Sequence, residues 1–164
     1  MHRILTICTG NICRSPMAEL ILRRAVQEAG LGDRVDVASA GTTGWEEGEP
    51  IDPRAAAELE SRGISSGEHR ARQATSAMLR EADLILALDH DHVAPLQRIG
   101  GQEIQGRVRM LREFDPQAGE DLGIRDPWYG DESDFASSAQ MIADAAPGVV
   151  EHVRRALAAG ADPA

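Results

Sequence analysis

Lysine is missing from this 164-residue chain. All 17 of its positive charges are arginines, set against 27 Asp and Glu, for a formal net charge of −10. A field of that sign repels nucleic acid and anionic membrane surfaces, so neither is expected as a partner. An anionic substrate has to be held by a local device. Aromatic residues are scarce at 3%, so the two Trp, one Tyr and two Phe must anchor the core or line a site. Cysteine is limited to Cys8 and Cys13, too close in sequence to staple distant parts of a secreted fold. No apolar run approaches the length of a transmembrane helix. Met1, His2 and Arg3 lead straight into an apolar stretch with no cleavage pattern. These absences predict a reduced, cytoplasmic protein. His2, His90, His92 and His152 show no ligand-like clustering, so neither a metal nor another cofactor is expected.

What is present suits one domain over residues 1–164, with hydrophobic residues at 42% and charged residues at 27%. Residues 3–8 form a short apolar, β-branched run that reads as a buried parallel strand. Gly10 and Asn11 break it, and Pro16 suits the first turn of a helix over 17–29, closed by Gly30 and Gly32. A second strand is expected at 35–40, then a loop over 41–53. A short helix over 54–62 ends at Gly63. The run 84–88 is the clearest buried strand. It lies between helical stretches at 75–81 and 91–98, and a fourth strand is expected at 108–111. Residues 114–132 are polar and turn-rich. A last helix spans 134–159, with a kink or break at Pro147 and Gly148. The tail 160–164 is expected to fray. Strands alternating with helices predict a single doubly wound α/β domain: a small central parallel sheet of about four strands flanked by helices.

The segment Cys8-Thr9-Gly10-Asn11-Ile12-Cys13-Arg14-Ser15-Pro16 joins the first strand to the first helix. Ligands of open α/β sheets bind outside the carboxyl ends of strands, and a helix N-terminus offers free N–H groups to a phosphate. Gly10 and Asn11 tolerate the left-handed backbone that a curled anion-binding loop needs. A thiol at its mouth sits in positive potential, which favours the nucleophilic thiolate. Arg14 can curl back and grip phosphate oxygens with a planar fork. Ser15 can donate a hydrogen bond to the sulfur.

Cys followed six positions on by Arg and then Ser is the signature of cysteine-dependent phosphatases. The chain resembles their low-molecular-weight protein tyrosine phosphatase family in particular. That family carries the loop at the extreme N-terminus and an acid loop far downstream, here Asp126-Pro127-Trp128-Tyr129-Gly130. The resemblance extends to Ser39-Ala40-Gly41-Thr42, Trp45, His69 in the run H-R-A-R-Q, and Asp89. Residues 107–112 and the run G-D-E-S-D-F look like actinobacterial members.

The resemblance implies a phosphotyrosine-containing protein as partner and inorganic phosphate as product, with a monomer as the working form and weak self-association at most. It makes Cys8 the nucleophile, Arg14 the phosphate clamp and Asp126 the general acid and base. Trp45, Trp128 and Tyr129 then wall a slot, with Thr9 and Ile12 on the loop side. Asn11, Ser39 and His69 match a hydrogen-bond network that pins the left-handed Asn, and Glu19 matches a carboxylate near that His. Relatives usually carry Tyr at Trp128 and often an aliphatic residue at Thr9, departures that touch substrate preference.

Taken alone, several of these positions have an ordinary reading. Cys8 reads as a buried thiol, Asp126 as a turn residue before Pro127, His69 as a surface histidine and Asp89 as a helix cap. Cys13 reads equally as a redox partner for Cys8 and as a small apolar filler. The acidic run 130–134 caps the last helix and repels acidic substrates. Two other functions compete. An arsenate reductase uses a similar loop but needs cysteines downstream of Cys13, where there are none. A catalytically dead binding module would lack the nucleophile or the acid, and both are present.

Overall fold

The computed structural model describes residues 1–161. Strand β1 (His2–Cys8) is buried from Ile4 onward because each face meets an apolar layer. Ile4 and Cys8 join the cluster on one side of the sheet, while Leu5 and Ile7 join the cluster on the other. Strand β2 (Val35–Gly41) and strand β3 (Leu84–Ala87) flank it, and β4 (Val108–Met110) pairs with β3. The order is β2-β1-β3-β4, and every pairing is parallel. The sheet thus grows from β1 in one direction to β2 and in the other to β3. The switch point lies at the carboxyl end of β1, where Cys8 sits opposite Gly41.

Helices α1 (Arg14–Glu28), α2 (Pro53–Ser61) and α5 (Glu132–Ala161) pack together on one face. The other face is covered by α3 (Ser76–Glu81), α4 (Val93–Gly100) and a 3₁₀ turn at Gly101–Arg107. Asp52 caps α2 through the Arg54 N–H, with Pro53 in the first turn. Thr75 caps α3 through the Met78 N–H. Among the described residues no helix is long and apolar enough to cross a membrane.

All four expected strands and the main helices are found, within about two residues for most ends. Helix α1 starts three residues earlier, at Arg14, because the phosphate loop curls directly into it. The helix expected at 91–98 is a 3₁₀ turn at His90–His92 followed by α4, and the turn at Gly101–Arg107 carries no period that could be read. Of the kink or break expected at Pro147, the break is absent: α5 is one continuous helix from Glu132 to Ala161 with the proline inside it. Its buried stripe, Ala139, Ile142, Ala145, Ala146, Val149, Val150 and Val153, outweighs the hydrogen bond lost at the proline. Fraying was expected at 160–164. The helix includes residues 160 and 161, and 162–164 lie outside the described residues.

Gly148 has a packing role. A Cβ there would overlap the carbonyl oxygen of Phe114, in the 3₁₀ turn Leu111–Phe114 that crosses α5. Gly148→Ala is expected to lower stability by about 2 kcal/mol through overpacking. The check is a lower urea midpoint at unchanged slope.

Candidate active site

The residues after β1 turn back over the sheet and close on the start of α1. Asn11 is the only non-glycine described residue with positive φ, at 61°. Gly10 was expected to share that conformation and does not. It packs closely on Glu46 instead, where an added Cβ would come 3.2 Å from the Glu46 Cγ. The Asn11 side chain settles its own orientation. Its Oδ1 accepts from the Arg72 N–H at 3.0 Å, so Nδ2 faces the two serines, donating to Ser15 Oγ at 2.7 Å and Ser39 Oγ at 2.9 Å. His69 Nε2 donates to the Asn11 carbonyl at 2.7 Å.

Those directions propagate. Ser15 Oγ accepts from Asn11, so its own proton is free for Cys8 Sγ, 3.0 Å away. Ser39 Oγ likewise passes its proton to Glu19 Oε1 at 2.9 Å. Glu19, expected as a carboxylate near His69, enters the network through Ser39 and pairs with Arg23 at 3.1 Å. Thr6 fastens the loop from beneath, its hydroxyl donating to the Ser15 carbonyl at 2.8 Å.

Cys8 is 3% exposed and lies in the wall of a pocket of about 180 Å³. Thr9, Gly10, Ile12, Cys13 and Arg14 line the same pocket from the loop, and Asp126, Trp128 and Tyr129 line it from the acid loop. Trp45 closes it from the β2 side, with Glu46 next to it. Trp45 and Tyr129 are 80% and 82% exposed, and Trp128 is 49% exposed and edge-on to Tyr129 with ring centres 5.0 Å apart. Gly41 must be glycine, because a Cβ there would sit 2.6 Å from the Thr9 carbonyl oxygen.

Arg14 is 4% exposed and tied on several sides. Its Nη1 donates to the Ile124 carbonyl at 2.7 Å and lies 3.4 Å from Asp89 Oδ2, and its Nη2 is 3.7 Å from Asp126 Oδ2. Asp89 also caps the turn after β3, accepting from the His90 N–H, so the two readings of that residue coexist. Asp126 Oδ1 accepts from the Trp128 N–H at 3.1 Å and so starts the 3₁₀ turn Pro127–Tyr129. Cys13 belongs to the apolar cluster. Burial first, then the charges of Asp52, Cys8 and Asp126, push its thiol well up from the ordinary range.

His92 had no role in the sequence reading, yet it is buried beside Arg14. Its Nδ1 accepts from the Asp89 N–H at 3.0 Å, so the ring proton sits on Nε2 and is donated to Thr9 Oγ1 at 3.0 Å. Arg14 Nη2, 3.4 Å from the same nitrogen, therefore faces an N–H and makes no hydrogen bond with it. Burial, with Arg14's charge adding to it, lowers the His92 pKa to about 3. Its spacing three residues after Asp89 is the one available signal. Arg72 was quoted only as part of the H-R-A-R-Q run, yet it supplies the N–H that sets Asn11.

With this geometry in place, comparison with known proteins gives a consistent result. The profile of the family described as low molecular weight phosphotyrosine protein phosphatase matches residues 3–159. A low molecular weight protein-tyrosine-phosphatase of Streptomyces coelicolor is 44% identical over 155 residues, covering 93% of this chain and 94% of that protein. Low molecular weight protein-tyrosine phosphatase A of Mycobacterium tuberculosis is 46% identical over 153 residues, covering 93% and 91%. Among solved structures, a protein tyrosine phosphatase from Entamoeba histolytica superimposes with a TM-score of 0.90 at 26% identity, covering 95% of this chain and 99% of that one.

The buried neutral imidazole has a consequence for stability. His92 lowered from 6.5 to about 3 means that below pH 6.5 the unfolded chain binds a proton the folded chain refuses. Its contribution is full above pH 6.5 and is lost as pH falls towards 3, at up to ~1.4 kcal/mol per pH unit. His92→Asn is expected to flatten the pH dependence of urea unfolding by about one proton over that window. An unchanged slope would place the titration elsewhere.

Proposed function

The chain belongs to the low molecular weight phosphotyrosine protein phosphatase family, and from that premise we propose how its residues divide the work. It is a protein-tyrosine phosphatase, a hydrolase acting on phosphoprotein substrates. Cys8 Sγ attacks phosphorus and the phenolate departs as Asp126 gives it a proton, leaving a phosphocysteine. Asp126 then takes a proton from the attacking water, and inorganic phosphate and the Cys8 thiolate are released. Ser15 donates to the sulfur whenever it carries charge. Arg14 and the loop N–H groups hold the three equatorial oxygens. The observation that carries this reading is the shared pocket, which Cys8, Arg14 and Asp126 all line although they come from β1, α1 and a loop more than a hundred residues away.

Trp45, Trp128 and Tyr129 supply the apolar walls for an aromatic ring, and Ile12 adds an aliphatic one. Cys8, Arg14 and Asp126 meet within a single chain, so the proposed reaction needs no residue from a second copy, and the monomer is the proposed working unit. Two free thiols fit a reducing, cytoplasmic setting. For Cys13, burial and a thiol that resists ionisation support the packing role over the redox role.

Two substitutions test the assignments. Cys8→Ser is expected to abolish turnover while phosphate still binds, as read by isothermal titration, because Arg14 and the loop amides remain. Near-native activity in that variant would remove Cys8 as nucleophile. Asp126→Asn is expected to cost on the order of 10²-fold in kcat/KM for phenyl phosphate and far less for a strongly activated ester. Equal losses would reduce Asp126 to a shaping role.

A further inference from the structure

Asp52 and Arg54 sit outside the pocket wall and are absent from the division of roles above, yet they touch both loops that build it. The Asp52 N–H donates to the Ile12 carbonyl at 2.9 Å, which fixes the start of α2 against the phosphate loop. The Asp52 carboxylate, in a residue only 8% exposed, holds Arg54 by a two-point fork: Nε to Oδ1 at 3.1 Å and Nη2 to Oδ2 at 3.0 Å. That fork leaves Nη1 pointing outward, where it donates to the carbonyls of Trp128 at 3.2 Å and Gly130 at 3.4 Å. The guanidinium also lies over the Phe135 ring of α5, 4.6 Å from its centre.

We infer that Arg54 is a positioning residue for the general acid, a strap that holds the acid loop in register over the phosphate loop. The inference rests on the phosphatase reading above. The acid turn Pro127–Tyr129 has two ends. Asp126 and Arg14 hold the first, where the Asp126 carboxylate caps the turn and faces the clamp. Arg54 grips the second through the carbonyls on either side of Tyr129. A short turn held at one end can pivot, and a pivot about Asp126 moves its carboxyl relative to the leaving oxygen while the phosphate loop stays as it is. Losing the strap should therefore damage proton delivery selectively.

Burial works against the Asp52 charge, but hydrogen bonds from the Arg54 side chain and backbone N–H outweigh it and hold the carboxyl below its usual range. The pair is thus ionised over the whole working range of pH, and the strap has no pH switch of its own. Lysine in place of Arg54 keeps a charge beside Asp52 but cannot fork to both oxygens and still reach the acid loop.

The test compares wild-type enzyme with Arg54→Lys across aryl phosphates from phenyl to 2,4-dinitrophenyl, with inorganic phosphate as competitive inhibitor. In the variant, kcat/KM for phenyl phosphate is expected to fall about tenfold, with the dinitrophenyl ester within about twofold and phosphate inhibition unchanged. In an Asp126→Asn background the same substitution should cost nothing further on phenyl phosphate, because the group it positions is gone. Equal loss across leaving groups, weaker phosphate inhibition in proportion, or a full additional loss in the Asp126→Asn background overturns the proposal. Asp52→Asn with Arg54→Met removes both charges together and leaves no uncompensated carboxylate. It should show the same leaving-group signature, and a wild-type pattern there is a second way to overturn it. A wild-type enzyme that turns over neither ester overturns the phosphatase reading itself. An active one whose leaving-group dependence is untouched by Arg54→Lys overturns the strap alone.

Discussion

The orientation of one amide governs the phosphate loop. Asn11 must hold φ at 61°, which costs a non-glycine residue something on the order of 1 kcal/mol. Four hydrogen bonds on its backbone and side chain offset that cost, and a fully satisfied buried network of this kind rigidifies what it spans. The decisive bond comes from the Arg72 N–H, because it forces the amide oxygen one way and both amide protons the other. From there each hydroxyl has a single choice. Ser39 gives its proton to Glu19, and Ser15 has its proton left for sulfur. A flipped amide would present oxygen to both serines and turn their protons inward, and Cys8 would lose its only side-chain donor among the described residues.

Charge is arranged on the same local principle. In a chain of net charge −10, the one positive side chain in the pocket lining is a buried arginine at the start of α1. Arg14 cannot sit there alone, since an unpaired buried charge is costly. Asp89 and the Ile124 carbonyl share its Nη1, and Asp126 faces its Nη2. Sharing also limits how tightly any one partner holds the arginine, so a phosphate can recruit it. Neutral His92 completes the arrangement, filling space beside the guanidinium and steering Thr9 without adding a second positive charge.

Local order made part of this visible from the residues alone. The apolar run 3–8, the Gly10-Asn11 break and the helical spacing after Pro16 lie within some twenty residues, so strand, loop and helix could be read together. Asp126 was found through its own short motif. Arg72, His92 and Arg54 were missed because their meaning depends on partners reached through the fold: Asn11 is 61 positions from Arg72, and Trp128 is 74 from Arg54. Chain composition carries no trace of such pairings. The continuity of α5 through Pro147 could not be read for a related reason. Pro147 is a strong local signal, and the apolar stripe that overrides it acts only once the sheet is there to receive it.

The floor and the walls of the pocket differ in kind, and the difference separates chemistry from selection. Cys8 and Arg14 line the pocket, Asn11 and Ser15 back them from outside its lining, and all four are buried, so their geometry is set before a substrate arrives. Trp45 and Tyr129 are four-fifths exposed, and Trp128 nearly half, with no core to justify their size. Large exposed aromatics in a chain with so few are best explained by contact with a ligand. Such contact is made equally in the bound ester and in its transition state, so it changes affinity more than turnover. Trp128 and Thr9, where the sequence departs from the motif it resembles, both line the pocket, as do Cys8, Arg14 and Asp126, which match that motif. On the roles proposed above, the wall residues bear on which phosphotyrosine segments are held, and the buried residues bear on the attack at phosphorus.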